Sequence, residues 1–238
     1  MRKFLRNIGI FSIGWRHTGK FSFVKTAKNH YPNKWEEIVS CIIPFGRRCS
    51  QQSLVHNMTY TPQHIANYFL DRAATDGRRL SPLKLVKLIY IAYGWYLALK
   101  DQKLFNEPIE AWQHGPVVPS IYHEFKHYGS GPIAGNSVTV DYDDANGKIT
   151  LAVSTPRVPD NDREANIVLD TVWKSYKDYS AWQLREMTHE VDTPWKRVYE
   201  DGVRGIKMQD AHIREHYVDR IGRYIEASTP KQKEAAEH

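Results

Sequence analysis

One stretch constrains the fold more than any other. Within residues 81–100, Leu83, Val86, Leu88, Ile89, Tyr90, Tyr93, Trp95, Tyr96 and Leu97 place apolar side chains on most sides of a helix. Such a helix has no polar face to turn to water, so it belongs at the centre of a bundle with other elements packed around it. Ser81-Pro82 opens it with a hydroxyl cap and a first-turn proline, and the pattern runs out around Lys100-Asp101. No apolar run in the chain approaches the roughly 20 residues that span a bilayer.

The neighbouring segments supply the packing partners. Thr61-Pro62 repeats the cap and proline, Ile65, Tyr68 and Phe69 follow at helical spacing, and Asp76-Gly77 is the expected stop. Ile109 to Trp112 reads as a short extended piece. It leads into His114-Gly115-Pro116, expected to be the turn into a helix with Val118, Ile121, Tyr122, Phe125 and Tyr128 on one face and Gly129 at its end. Val138/Val140/Tyr142 and Ile149/Leu151/Val153 alternate about Asp144-Ala145-Asn146-Gly147, which predicts a β-hairpin. Beyond Pro159, Val168, Val172 and Tyr176 mark a helix, and Ser180 caps another from Trp182 to His189. Pro194 opens a short one, and Ile213, Tyr217, Ile221 and Tyr224 line the last. The expected class is mainly α (α+β), a helical domain with a small antiparallel hairpin.

Charge divides the chain unevenly. Of 33 Lys and Arg and 27 Asp and Glu in 238 residues, ten bases and only Glu36 and Glu37 fall in residues 1–57, leaving 23 bases and 25 acids for the rest. The basic character therefore belongs to the first quarter, and a nucleic-acid reading of the whole chain would average over that split. Residues 1–57 show no sustained helical or strand period and hold both cysteines, Cys41 and Cys49, too few for a disulfide framework or a four-cysteine zinc site. Three readings fit them: a targeting segment, a basic arm for a partner or nucleic acid, and an extension upstream of a domain that begins at Met58. The organisation carried forward is an N-terminal extension 1–57, a domain 58–228 and a polar tail 229–238.

His123-Glu124-Phe125-Lys126-His127 matches H-E-x-x-H, which in a metalloprotease places two imidazoles and a glutamate base on one helix face. Here the apolar residues 118, 121, 122, 125 and 128 occupy one face and the two histidines fall opposite, toward solvent. The metzincin continuation needs glycine at 130 and histidine at 133, where this chain has Ser130 and Ile133. No Ser-His-Asp elbow or Gly-rich phosphate loop is present either, so a zinc-dependent hydrolase is the minor alternative, and neither a catalytic residue, a metal nor a cofactor is expected.

Leu80-Ser81-Pro82-Leu83-Lys84-Leu85-Val86-Lys87-Leu88-Ile89-Tyr90 resembles the start of the SocA/Panacea domain of bacterial and phage-associated proteins. The likeness continues through Gly94-Trp95-Tyr96, Lys103-Leu104-Phe105, Pro108 to Trp112, His114 to Pro119, Tyr122, Phe125 and Tyr128-Gly129. Its second block is Leu184, Thr188-His189-Glu190 and Pro194-Trp195, and in all it covers about residues 60–225. The resemblance implies a cytoplasmic, non-enzymatic antitoxin of a toxin–antitoxin system. Such proteins are often encoded beside the toxin or on a prophage, where phage defence is one setting, and they neutralise it by direct protein–protein contact. One branch instead delivers its toxin to the protease ClpXP, an alternative left open. It implies no membrane partner, and nucleic acid enters only through the basic residues 1–57.

The residues expected to carry partner binding are Trp112, His114, Gly115, Pro116, Val117, Tyr122, His189, Glu190 and Trp195. Loops held by rigid helices commonly carry contacts, and aromatic side chains dominate binding hot spots. Each has a structural reading beside the functional one. Trp112 and Trp195 suit a core, Gly115-Pro116 a turn, and His189 the C-terminal end of a helix dipole. That the two histidine-bearing corners, 112–117 and 188–195, form one site is a hypothesis.

Overall fold

The computed structural model describes residues 60–145 and 148–228, all within the unit 54–238. The basic stretch 1–57, the tail 229–238 and Asn146-Gly147 lie outside the described residues. In chain order the elements are α1 (Pro62–Thr75), α2 (Pro82–Lys100), β1 (Glu110–Trp112), β2 (Gly115–Val117) and α3 (Pro119–Phe125). There follow β3 (Thr139–Ala145), β4 (Lys148–Ser154), α4 (Arg163–Tyr176), α5 (Ala181–His189), α6 (Pro194–Val198) and α7 (Asp210–Ser228). The class is mainly α, as the periodicities predict, with two small antiparallel two-stranded sheets among the described residues, the predicted hairpin and the pair β1–β2.

Helix α2 is the hub. Ser81 accepts a hydrogen bond from the Lys84 amide, Pro82 occupies the first turn, and Asp101 ends the helix in the left-handed conformation. Fifteen of its 19 residues are buried, because α1, α3, α4, α5, α7 and β2 all pack against it. At Gly94 the helix makes room for α7. A Cβ there would lie 2.0 Å from Cε2 of Tyr217, so the Tyr217 ring fills the space that any side chain would need. Trp95 packs edge-on to the same ring at 5.1 Å, and the Tyr93 hydroxyl donates to Asp210 at 2.8 Å, tying the start of α7 to the middle of α2.

The segment Gly115–Val117 departs from the expected turn into a helix. It is strand β2, paired antiparallel with β1 so that Trp112 faces Gly115 and Gln113-His114 form a two-residue loop. Three-residue strands carry too little alternation to be read from sequence. The partner strand β1 is in turn held by a distant segment, since Ala111 N–H donates to the Ile206 carbonyl and Met208 N–H to the Ile109 carbonyl, each at 2.8 Å. Helix α3 is shorter than the apolar pattern predicts, because the last turn, Lys126–Tyr128, tightens to a 3-10 helix before Gly129. Such tightening is common at helix ends.

The β3–β4 hairpin pairs Val140 with Val153 and extends to Ala145 opposite Lys148, further toward its tip than the turn residues predict. Its base is held by Asn67 on α1, which is fully buried. The Asn67 amide donates to the Ser137 and Pro156 carbonyls at 2.9 Å and accepts from Ser137 N–H at 2.7 Å. Val138, Val140, Leu151 and Val153 are all exposed.

Candidate functional site

The site is built on the Gln113-His114 loop. Gly115 closes that loop with φ +97°, a region that glycine enters without strain. Neither Gln113 nor His114 has a positive φ, the arrangement of a hairpin in which a glycine completes the turn. Gly115 also meets a packing demand. A Cβ on it would stand 2.6 Å from Nζ of Lys87, 2.6 Å from Oγ1 of Thr188 and 3.0 Å from Cε1 of His189. The loop is thereby pressed against α2 on one side and the end of α5 on the other.

Its second wall is the α5–α6 corner. Ser180 caps α5 with a reciprocal pair to Gln183, and His189 is the last residue of the helix. His189 Nδ1 lies 2.7 Å from the Arg185 carbonyl and Nε2 lies 3.2 Å from the Gln113 carbonyl. A neutral imidazole has one N–H and donates to only one of these carbonyls; an imidazolium donates to both. Burial lowers the His189 pKa, against the two carbonyls, which favour the cation. Thr193 caps α6 and also donates to the Thr188 carbonyl at 3.0 Å. Trp195 packs against His189 at a tilt of 44° with ring centroids 3.8 Å apart, and it stacks on Tyr199 at 4.5 Å.

The two corners meet directly. Trp195 Nε1 donates to the Trp112 carbonyl at 2.8 Å, and Trp112 passes the contact outward. Its indole N–H goes to Glu110 at 2.8 Å, and its ring sits edge-on to Tyr122 at 4.8 Å, with His123 at 6.1 Å. Trp112, Tyr122 and His123 form an aromatic cluster at the surface, beside exposed His114.

Burial sorts the nine residues singled out from the sequence. Gly115, Pro116, Val117 and Trp195 are buried; they form the base on which the surface rests and offer a partner little contact area. Trp112, His189 and Glu190 are half-buried, and His114 and Tyr122 are exposed. Sequence reasoning missed two contributors. His123 joins the aromatic cluster, although its helical phase gave only a solvent-facing position. Lys87 stands behind the loop, fully buried, with Nζ donating to the Pro116 carbonyl at 2.9 Å. The available signal was a lysine in the middle of a helix that is apolar on most sides.

The two histidines of the H-E-x-x-H spacing make separate contacts. His123 packs on Trp112 and Tyr122, while His127, in the 3-10 turn, lies with Nδ1 3.0 Å from the Glu124 carbonyl. Among the described residues no group of three or more His, Cys, Asp or Glu side chains is placed to hold a metal, and no helix is long and apolar enough to cross a membrane.

A helical domain organised on one buried helix, with a small hairpin braced by two helix corners, defines the class of the protein. The chain belongs to the Antitoxin SocA-like, Panacea domain family, whose model matches residues 85–196, from the first turns of α2 through Trp195. Antitoxin SocA of Caulobacter vibrioides (strain NA1000 / CB15N) is 34% identical to it over 143 residues, 58% of this chain and 72% of that protein. No solved structure matches the chain.

Proposed function

We propose that this protein is an antitoxin that neutralises a cognate protein toxin by binding it directly, with residues 58–228 as the active unit. Membership of the antitoxin family and the likeness to Antitoxin SocA support the general role. The observation that carries the binding surface is the junction of the two corners. His189 meets the Gln113 carbonyl and Trp195 the Trp112 carbonyl, so both motif blocks of the sequence end on one face. Trp112, His114, Tyr122, His189 and Glu190 are its accessible side chains, and the aromatic rings offer rigid contact area at small entropic cost. The protein works in the cytoplasm as a binding protein, not as an enzyme, and masks the toxin without destroying it.

The test is a growth assay in which the gene beside this one is induced together with the full chain, with a chain starting at Met58, or with H114A/Y122A. Wild-type rescue with unchanged toxin abundance, loss of rescue by the folded double variant, and rescue from Met58 are expected. Absence of rescue by soluble full-length protein overturns the antitoxin reading. A fall in toxin abundance on rescue overturns masking, and rescue by the full chain alone overturns the assignment to residues 58–228.

A further inference from the structure

Three side chains from three helices reach three carbonyls of one short loop. Trp195 of α6 donates to the Trp112 carbonyl at 2.8 Å, His189 of α5 lies 3.2 Å from that of Gln113, and Lys87 of α2 donates to that of Pro116 at 2.9 Å. The backbone of the loop is thus held from inside the domain, while Gln113 and His114 are exposed.

Lys87 is the unexpected member. Among the described residues it is the one fully buried Lys, Arg, Asp or Glu, and no carboxylate there forms an ion pair with it. The group whose charge bears on it is Arg185, of like sign, and burial pushes its pKa well below the usual lysine range. Nearby Thr188 already donates its hydroxyl to the Arg185 carbonyl at 2.7 Å. For stability alone an apolar side chain of the same length would serve better, because an amine taken out of water without a counter-charge is unfavourable. What the amine supplies, and a methylene chain would not, is an N–H aimed at the Pro116 carbonyl. Gly115 leaves the room for it, since a Cβ at 115 would stand 2.6 Å from Nζ.

We propose that Lys87 is a positioning residue of the partner-binding surface: by holding the Pro116 carbonyl from within the bundle it sets how Trp112 and His114 are presented. The proposal rests on the antitoxin reading above. Lys87 touches no partner itself; it acts through the loop.

The experiment compares full-length wild type with K87M, which keeps the length and apolar stem and removes the N–H. Three quantities are measured: Tm, amide hydrogen exchange of Gln113, His114 and Gly115, and Kd for the purified product of the adjacent gene. Expected are an unchanged or raised Tm, faster exchange confined to the loop, and a Kd weakened about tenfold, the scale of one lost hydrogen bond. K87L, which also removes the N–H and keeps an apolar side chain, is expected to weaken Kd similarly, and it decides the matter if K87M does not fold. Wild-type Kd in a folded variant overturns the proposal. So does an affinity that falls only in step with Tm, with exchange faster throughout, which is the signature of a merely structural lysine. If wild type itself does not bind that product, the antitoxin reading fails first and the positioning role falls with it.

Discussion

Trp195 donates its indole N–H to the Trp112 carbonyl across 2.8 Å, and this bond closes α6 onto the β1–β2 loop. Trp195 is 4% exposed and packs against the His189 and Tyr199 rings, so its ring contributes packing and its N–H contributes placement. The two are separable by substitution. W195F keeps most of the aromatic stack and leaves the Trp112 carbonyl without its partner, an expected loss of about 1–2 kcal/mol in unfolding free energy. W195A also removes the ring and is expected to lose about 3–5 kcal/mol. Urea denaturation of the two variants checks the difference; equal losses would mean that the N–H contributes nothing.

Gly94 is expected to resist even the smallest substitution. In an exposed helix, Gly→Ala gains about 1 kcal/mol. Here the new methyl would fall 2.0 Å from the Tyr217 ring, and overpacking a closed core costs about 1–3 kcal/mol. With the ring itself 5% exposed and flanked by Trp95, the clash outweighs the propensity gain. G94A should lower Tm by several degrees, and Y217L in the same background should recover part of the loss. A G94A chain as stable as wild type would show that α2 and α7 can separate freely.

Acid should destabilise the domain before its carboxylates titrate. His216 is lowered from 6.5 to about 3, chiefly by burial, with Arg220, Arg197 and Arg223 adding like charge against the Asp192 backbone carbonyl, which favours the cation. Arg220 Nε donates to His216 Nε2 at 2.8 Å, a bond that a neutral ring accepts and a protonated one cannot. His189 and His64 are lowered too, again by burial. In the pH interval below the ordinary histidine value the unfolded chain binds more protons than the folded one. Stability is therefore fully present above about pH 6.5 and lost as pH falls toward the folded values, by up to about 1.4 kcal/mol per pH unit for each group. Tm measured from about pH 8 to about pH 4 should fall, and H216Q should flatten the slope. An unchanged slope in H216Q would show that His216 is not the group responsible.

Much of the local structure was legible. Ser81-Pro82, Thr61-Pro62, Ser180 and Pro194 begin the helices that the caps and prolines predict, and the 138–153 alternation is a hairpin. Of the candidate site, the sequence singled out both corners and left their union as a hypothesis; in the structure the two segments touch. It did not separate base from surface. Pro116, Val117 and Trp195 turn inward while His114 and Tyr122 face out, because that depends on which neighbour covers each residue. The β2 strand was read as a helix entry for a related reason, since its pairing partner is β1, which is itself held on its other side by the distant 206–208 segment.

By itself, then, the sequence determined what is local. The apolar surround of residues 82–100 required a central helix, cap chemistry set where helices begin, and the ordered motif series pointed to the family. Tertiary structure alone decided what depends on approach. Tyr217 takes the space over Gly94, and Lys87 comes to rest under Gly115. His189 and Trp195 reach carbonyls 76 and 83 residues away in the chain. Capping and periodicity act over one or two turns, within the reach of a pattern. A hydrogen bond between residues so far apart exists only once every intervening element has packed, so its partners carry no mark that names each other beforehand.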